Sequence, residues 1–387
     1  MEILVLSWYI LVETDSVVQL TMFGALLFLG TLLSPMLGVF ADRIGQLRLM
    51  LTLRALYIVL SSLVLLVILT GNLTPKLALL IGFLSGLVRP SELGIRAALM
   101  ASLVPVRLLL TATSLSRTTV DSARIVGALG GSALFATVGI ATTYVVIVVL
   151  FSLGLVFTLA ILIHVDDDSG RQSPTMSSRF APWSELREGL EYVWKTPHLR
   201  ATIWIAALIN FTAFPLPIGL LPYVAKEVYG TGEIGLGYLV ASFSVGALMG
   251  SIVLGVVGHK MHPARAMIFF VILWHLSLML FVFVDQLMIG MMAMLIAGFL
   301  QSCSLVPLDG LLMRTSDPKF RGRVMGVRML AIYTLPISLM VAGWLIDSIN
   351  FHRTMSLYMV TGVALTLVIA VRWRESVLRK DSVANAI

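Results

Sequence analysis

The stretch SALFATVGIATTYVVIVVLFSLGLVF, residues 132–157, contains no charged residue. An apolar run of about 20 residues is long enough to cross the roughly 30 Å hydrocarbon core of a bilayer as a helix. Similar runs recur along the 387 residues, which are 58% hydrophobic and only 12% charged. Soluble domains carry about 25% charged residues. The sequence therefore predicts an all-α, polytopic membrane protein.

The apolar runs predict twelve spans. They lie near residues 1–11, 17–40, 49–70, 77–104, 108–138, 142–164, 201–228, 234–258, 266–284, 287–313, 324–349 and 355–371. The longest polar interruption divides them six and six. This division gives an N-terminal half over 1–164, a linker with an interfacial helix over 165–200, a C-terminal half over 201–373 and a tail over 374–387.

Basic residues cluster in the loops that share one side with the linker. By the positive-inside rule that side is cytoplasmic, and so is the C-terminus. We expect a multi-pass protein of the inner (plasma) membrane, and the net charge of +7 then reflects loop placement and predicts no nucleic-acid partner. The first apolar segment, at roughly 18 Å of helix, is too short to cross. We therefore expect the chain to begin inside its first helix.

An internal repeat supports the division into halves. GVFADRIGQLR (38–48) and GVVGHKMHPAR (255–265) share Gly-Val, a basic sixth position and a final Arg, and each closes the second span of its half. Duplicated halves place a substrate path between them near the bilayer midplane. The chain is therefore expected to form two related six-helix bundles.

Two loop motifs resemble those of a known family. GVFADRIGQLRLML is similar to the loop 2-3 signature of the major facilitator superfamily, and DPKFRGRVMGVRML (317–330) resembles the Arg-Gly-Arg signature of its enterobactin exporter-like branch. The resemblance implies a major facilitator fold and secondary export of small organic molecules, drug-like or siderophore-like, often coupled to protons. It also implies gating roles for Gly38, Asp42, Arg43, Gly45, Arg48, Arg321, Gly322 and Arg323. For the last two arginines, simple anchoring by the positive-inside rule is the alternative.

One departure from the family pattern lies in the fifth span. Gly127 is followed by Ala128, whereas the family usually has Gly-Pro in an antiporter-type motif. The bend that a proline introduces, and the antiport that the motif implies, are therefore not supported here. This departure and the short first segment motivate an alternative, a transport-inactive or sensor-like truncated paralogue.

Charges in the fourth and fifth spans form two similar sets. In the fifth span, Arg117, Asp121 and Arg124 share one helical face, beside a stripe formed by Gly127 and Gly131 that suits close helix packing. The fourth and fifth spans form a predicted helical hairpin, so residues at equal distances from its turn lie at similar depth. This places Arg96, Glu92 and Arg89 of the fourth span at the depths of Arg117, Asp121 and Arg124. A charge at the bilayer centre costs about 2.5 to 3.5 kcal/mol, so the sets face protein or a cavity. They form either a structural network or part of an anion or proton path.

Two further polar residues lie within predicted spans. Asp309 is either a functional intramembrane acid or the ion-pair partner of Arg314 or Arg328. Asn210 lies in a proline-containing span, which predicts either a bent helix lining a cavity or bending alone. Glu13 and Asp15 are expected to be solvated.

The remaining chemistry-bearing residues give no sign of catalysis. His275 has no second ligand at metal-binding spacing and is expected to be packed or to line a cavity, and Cys303 has no partner. The sequence contains no phosphate-binding loop and no nucleophile with a base. We expect no enzyme activity, no cofactor and no metal, and a monomer whose partners are a small-molecule substrate, lipid and protons.

Overall fold

The computed structural model describes residues 1–29, 46–88, 109–168, 182–258, 261–317 and 319–373. Within these ranges the secondary structure is helical and contains no strand. The predicted all-α fold is confirmed. In a bilayer core every backbone N–H and C=O must find its partner inside the protein, and a helix achieves this within one segment.

The predicted N-terminal half, called the first half below, contains α1 (Glu2–Thr14), α2 (Val17–Leu29), α3 (Gln46–Leu69), α4 (Pro75–Val88) and α5 (Leu109–Asp168). The linker contains α6 (Pro182–Lys195). The second half contains α7 (Pro197–Val228), α8 (Glu233–Val257), α9 (Pro263–Val282), α10 (Leu287–Thr315), α11 (Arg321–Ile349) and α12 (Phe351–Arg372). In the described part of the chain, eight helices are long and apolar enough to cross a membrane, and the apolar helices at the start of the second and fourth predicted spans are shorter. Each of the twelve predicted spans coincides with one of these helices in whole or in part.

Helix α5 contains both the fifth and the sixth predicted spans. They meet at Gly139, whose backbone has φ 83° and ψ 175°, a combination that is essentially restricted to glycine. Thr143 on the far side donates its hydroxyl to the Gly139 carbonyl at 2.9 Å. The two spans are therefore joined by a sharp bend at one residue and not by a loop.

Helix α7 is the proline-containing seventh span. The sequence predicts a bend or a local break, and the regular α-helix Pro197–Thr212 does end at a turn over residues 213–214. The span then continues to Val228 through two π-helical segments, Leu216–Leu220 and Val224–Val228. A proline has no N–H to donate, and a π turn, with its i→i+5 bonding, takes up an extra residue without ending the helix. The α-helix is therefore interrupted within the span, and the π-helical segments carry the chain onward to Val228.

Glycines set the spacing between α8 and α10. A Cβ on Gly246 would overlap the carbonyl oxygen of Leu295, and one on Gly298 would overlap the carbonyl oxygen of Phe243. Between transmembrane helices the hydrophobic effect adds little, so such close approach supplies the packing energy. The second half is built around these close contacts.

The bend at Gly139 generates a stability prediction. Gly139→Ala should lower the free energy of unfolding by about 1 to 3 kcal/mol, because a side chain is strained at this backbone conformation. Thermal unfolding of the purified protein in detergent measures the change. Gly310→Ala is the matched control, since Gly310 lies inside α10 with open space around it and alanine there favours the helix by up to about 1 kcal/mol. Equal melting temperatures for the two variants would contradict the prediction.

Candidate functional site

Among the described residues, two pairs of helices form the most extensive contacts between the predicted halves. Helix α2 packs along α11, and α5 packs against α8. In the first pair, Gly343 leaves room for the hydroxyl of Thr21, and a Cβ on Gly24 would lie 3.1 Å from Leu339 Cδ1. Ala25 and Leu339 are buried in this contact. The first interface between the halves is thus apolar and tightly packed.

The crossing of α5 and α8 involves the position that departs from the family pattern. A Cβ on Gly237 would overlap the side chain of Ser132 and lie 3.1 Å from the carbonyl oxygen of Ala128. Ala128 is buried. A Cβ on Gly131 would lie 2.8 Å from Met1 Cγ. The glycine stripe does support close packing, as predicted, and its partner is the start of α1.

An ion pair joins the halves at the end of the bundle opposite the linker, which we call the distal face. Lys226 in α7 contacts the carboxylate of Asp15, the residue that ends α1, and lies 3.2 Å from Glu227. The side chain of Asp15 is 81% exposed. Asp15 is therefore solvent-exposed, as expected, but it is also paired across the interface, a contact that the sequence did not predict.

The linker helix α6 packs against the start of α11 at the opposite end, which we call the linker face. Arg323, one of the predicted gating residues, lies 2.7 Å from the carboxylate of Glu188. A Cβ on Gly189 would lie 3.0 Å from Arg323 Cβ, so the two helices are in close contact here. Arg323 thus binds the linker and is more than a solvated anchor.

Aromatic and polar contacts strengthen the same junction. The rings of Tyr192 and Phe320 stack with centroids 4.4 Å apart. The backbone N–H of Asp317 donates to the Tyr192 hydroxyl at 3.1 Å. Arg321 and Gly322, the other predicted gating residues of this motif, are exposed.

Only part of the predicted charge cluster lies in the described residues. Asp121 is buried, and its carboxylate lies 3.9 Å from Arg124, whose side chain is 52% exposed. The expected facing of the two charge sets stays a prediction. Seven predicted site residues lie outside the described residues: Gly38, Asp42, Arg43, Gly45, Arg89, Glu92 and Arg96. The side chain of Arg117 also lies outside the described part of the chain. Arg48, at the start of α3, is exposed.

Two other predicted residues have partners nearby. Asp309 accepts a hydrogen bond from Arg328 Nε at 2.9 Å, which is one of the two ion pairs considered, while Arg314 is exposed. Asn210 is buried and donates its amide to the Ala206 carbonyl of its own helix at 2.8 Å. The structure thus pairs Asp309 within the second half and places Asn210 in the interior of that half.

His275 is a packed residue that joins three helices. Its Nδ1 lies 2.8 Å from the Val271 carbonyl, and its Nε2 lies 2.7 Å from Thr212 Oγ1 on α7. Because a carbonyl only accepts, Nδ1 donates to Val271. The Thr212 hydroxyl has a single proton and lies 2.7 Å from both Nε2 and the Leu208 carbonyl, so the ring tautomer decides the direction of its bond with Nε2. A Cβ on Gly362 of α12 would overlap the ring. The imidazole therefore occupies a space that a glycine leaves open.

Arg54, which lies inside α3, is a polar contact residue that is not among the predicted site residues. Its guanidinium donates to the Gly154 carbonyl of α5, and next to it Tyr57 stacks on Phe151 with ring centroids 5.3 Å apart. The position of Arg54 within a predicted span indicates a specific polar contact, because intramembrane charges rarely lack a specific partner. In the described residues, no three His, Cys, Asp or Glu side chains come together in a metal-binding arrangement.

Comparison with known proteins places this geometry in a family. The profile of the Major Facilitator Superfamily matches residues 3–339. The multidrug efflux pump Tap of Mycolicibacterium fortuitum is 29% identical over 169 residues, 43% of this chain and 41% of the relative. The pump of the same name from Mycobacterium bovis BCG is 26% identical over 251 residues, 64% of this chain and 58% of the relative. The chain thus matches about half the length of these relatives, and the enterobactin exporter-like branch stays a prediction.

Solved structures share the fold at low sequence identity. The nucleoside transporter NupG matches with a TM-score of 0.68 and 12% identity, covering 96% of each chain. A bacterial homologue of the lysosomal transporter Spinster, solved facing inward, matches with a TM-score of 0.71 and 11% identity over 98% of this chain and 95% of that one. A D-xylose–proton symporter matches with a TM-score of 0.66 and 13% identity over 95% of this chain and 88% of that one.

The packing of His275 generates a second stability prediction. Gly362→Ala should destabilise the protein by about 1 to 3 kcal/mol, the usual cost of adding a methyl group to a filled core, because the new Cβ overlaps the imidazole and lies 2.9 Å from Thr212 Oγ1. Thermal unfolding in detergent measures the change. Gly255→Ala, in open space on α8, is the control and should leave the melting temperature unchanged or raise it. An unchanged melting temperature for Gly362→Ala would show that the ring can move aside.

Proposed function

Because the chain belongs to the Major Facilitator Superfamily, we propose that it exports small organic molecules across the membrane by alternating access, coupled to protons. The observation that carries this proposal is the ion pair between Asp15 and Lys226, which joins the two halves at the distal face. A transporter that opens alternately to the two sides has to make and break contacts of this kind in every cycle.

The strength of the ion pair suits this role. An exposed pair contributes only about 0.2 to 1 kcal/mol, and the side chain of Asp15 is 81% exposed. Such a pair biases an equilibrium between two conformations by a small factor and does not lock either of them. It therefore favours closure of the distal face while allowing that face to open.

The form of α7 supports movement at the same place. Lys226 lies in the second π-helical segment, Val224–Val228, and π-helical turns occur frequently at functional sites. A helix with two such segments can change its local winding without losing a span. We infer that α7 adjusts its winding when the distal face opens.

We propose that the substrates are lipophilic, drug-like molecules. Two relatives of the chain are named multidrug efflux pumps. The chain also contains 20 methionines, whose flexible side chains suit cavities for varied apolar ligands. A siderophore is the other class that the sequence motifs suggested. A transport panel that contains both classes decides between them.

We further propose that Asp121 takes part in proton coupling, together with Glu92. Asp121 is buried in the first half beside Arg124. A buried carboxylate that changes partners between two conformations can bind a proton in one and release it in the other. Asn210 and Asp309 remain candidates for residues along the substrate path.

The distal ion pair gives a test of alternating access. Asp15→Lys should weaken closure of the distal face by roughly two- to fivefold, because the new charge repels Lys226. The readout is the rate of maleimide labelling at Thr21→Cys in a Cys303→Ser background, since Thr21 is buried between the halves. Efflux of a fluorescent lipophilic dye, with and without an uncoupler, is measured in the same cells. The double exchange Asp15→Lys with Lys226→Asp should restore both the original labelling rate and the original dye efflux.

The matched control is Glu13→Lys. It makes the same change in charge two residues away, at an exposed residue that forms no ion pair in the described part of the chain. Equal labelling in this control and in Asp15→Lys would contradict a specific role for the pair. Absence of dye efflux from cells with correctly folded protein, for every substrate of the panel, would favour the transport-inactive alternative.

Proton coupling has its own test. In proteoliposomes, Asp121→Asn should abolish the part of transport that an imposed pH gradient drives, while substrate exchange without a gradient continues, because asparagine cannot bind and release the proton. Asp347→Asn, an exposed carboxylate near the end of α11, is the control and should retain pH-driven transport. A variant that loses its folded state instead would identify Asp121 as a member of a structural network.

A further inference from the structure

Two arginines enclose one tryptophan at the linker face. The guanidinium carbon of Arg200, in the first turn of α7, lies 5.6 Å from the centroid of the Trp373 ring, and that of Arg372 lies 6.0 Å from the same ring. Arg200 also donates from Nη1 to the Trp194 carbonyl at 3.3 Å. The end of α6, the start of α7 and the end of α12 therefore converge here.

The positive charge at this point is not balanced by the described residues. Lys195, at the end of α6, is exposed, and neither it nor Arg200 nor Arg372 forms an ion pair within the described ranges. Nε of Arg200 is buried and has no hydrogen-bond partner among those residues. A buried guanidinium N–H without an acceptor is costly. The site thus contains two arginines on one tryptophan ring, with Lys195 next to Trp194 in the sequence.

An exposed apolar surface continues from the cationic groups toward the membrane. Trp194 is 59% exposed and Trp204 is 47% exposed, and their rings lie 6.3 Å apart. Trp204 lies in the transmembrane helix α7, so its exposed ring faces lipid. Leu190 of α6 is also exposed. Tryptophans of this kind concentrate at the level of lipid headgroups.

From this juxtaposition of Arg200, Lys195 and Arg372 with the exposed rings of Trp194 and Trp204, we propose that the site binds one anionic phospholipid. The phosphate is held by the guanidinium of Arg200, whose planar donors match phosphate geometry, and the neighbouring cations add attraction. The acyl chains lie along the two indoles. This assignment does not depend on the transport activity proposed above.

The position of the site also suggests what the lipid does. It lies where α6 meets α7, and the same α6 holds Arg323 through Glu188. A lipid bound to Lys195 and Arg200 therefore connects the linker helix to the membrane beside the second half. Membranes rich in anionic lipid should hold the linker helix more firmly in place than zwitterionic membranes.

Native mass spectrometry of the full chain in detergent tests the proposal. The probes are dioleoyl phosphatidylglycerol and dioleoyl phosphatidylcholine, titrated separately. One phosphatidylglycerol should bind with higher affinity than phosphatidylcholine, and Arg200→Gln should weaken its binding by about fivefold, the effect expected of one basic residue near an anionic lipid. Arg187→Gln is the matched control, since Arg187 is on the same linker helix, is 82% exposed and pairs with Glu191. It should leave the affinity unchanged.

A competition arm separates a lipid site from a site for free phosphate. Inorganic phosphate at the concentration of the lipid should not displace phosphatidylglycerol, because it cannot use the tryptophan surface, and Trp194→Ala should weaken lipid binding as well. Equal affinity for the two lipids, equal loss in Arg187→Gln, or displacement by phosphate would each overturn the proposal. If Arg200→Gln does not fold, Lys195→Gln and Arg372→Gln, both at exposed positions, provide the test with the same control.

Discussion

The structure depends on one constraint, the absence of hydrogen-bonding water in the core of a bilayer. Backbone groups are satisfied within helices, and many polar side chains follow the same rule by donating to the carbonyl one turn earlier. Asn210, Thr202, Ser304 and Thr366 all do so. With these groups satisfied inside single helices, the helices are free to approach closely wherever glycines leave room, as between α8 and α10.

The few polar contacts that do connect helices fall into two classes. Within a half they are partly or fully buried and specific, as for Arg54 with the Gly154 carbonyl and His275 with Thr212. Between the halves the ion pair of Asp15 and Lys226 lies at an exposed edge, where water weakens it. Among the described residues, the ion pair between the halves is therefore exposed, whereas the packing beside it, at Thr21 with Gly343 and at Ser132 with Gly237, is close and buried.

The spans were predictable from the sequence because apolar length and composition alone determine which segments can cross a bilayer. The pairing of residues across helices was not. Lys226 and Asp15 are far apart in the chain, and their contact depends on how the two halves are placed. The single-residue bend at Gly139 also escaped prediction, since hydropathy marks the ends of two spans and does not reveal the backbone angle between them. Arg54 was within reach, because it is a charge in the middle of an apolar run.

The bend at Gly139 has a mechanical consequence. A loop between two helices would absorb relative motion, whereas a single glycine leaves no slack between the two segments of α5. The first segment touches the second half through Ser132, and the second segment is tied to α3 through Arg54. The crossing with α8 and the contact with α3 are therefore connected through one residue, so a change of the backbone angles at Gly139 would move Ser132 relative to Gly154.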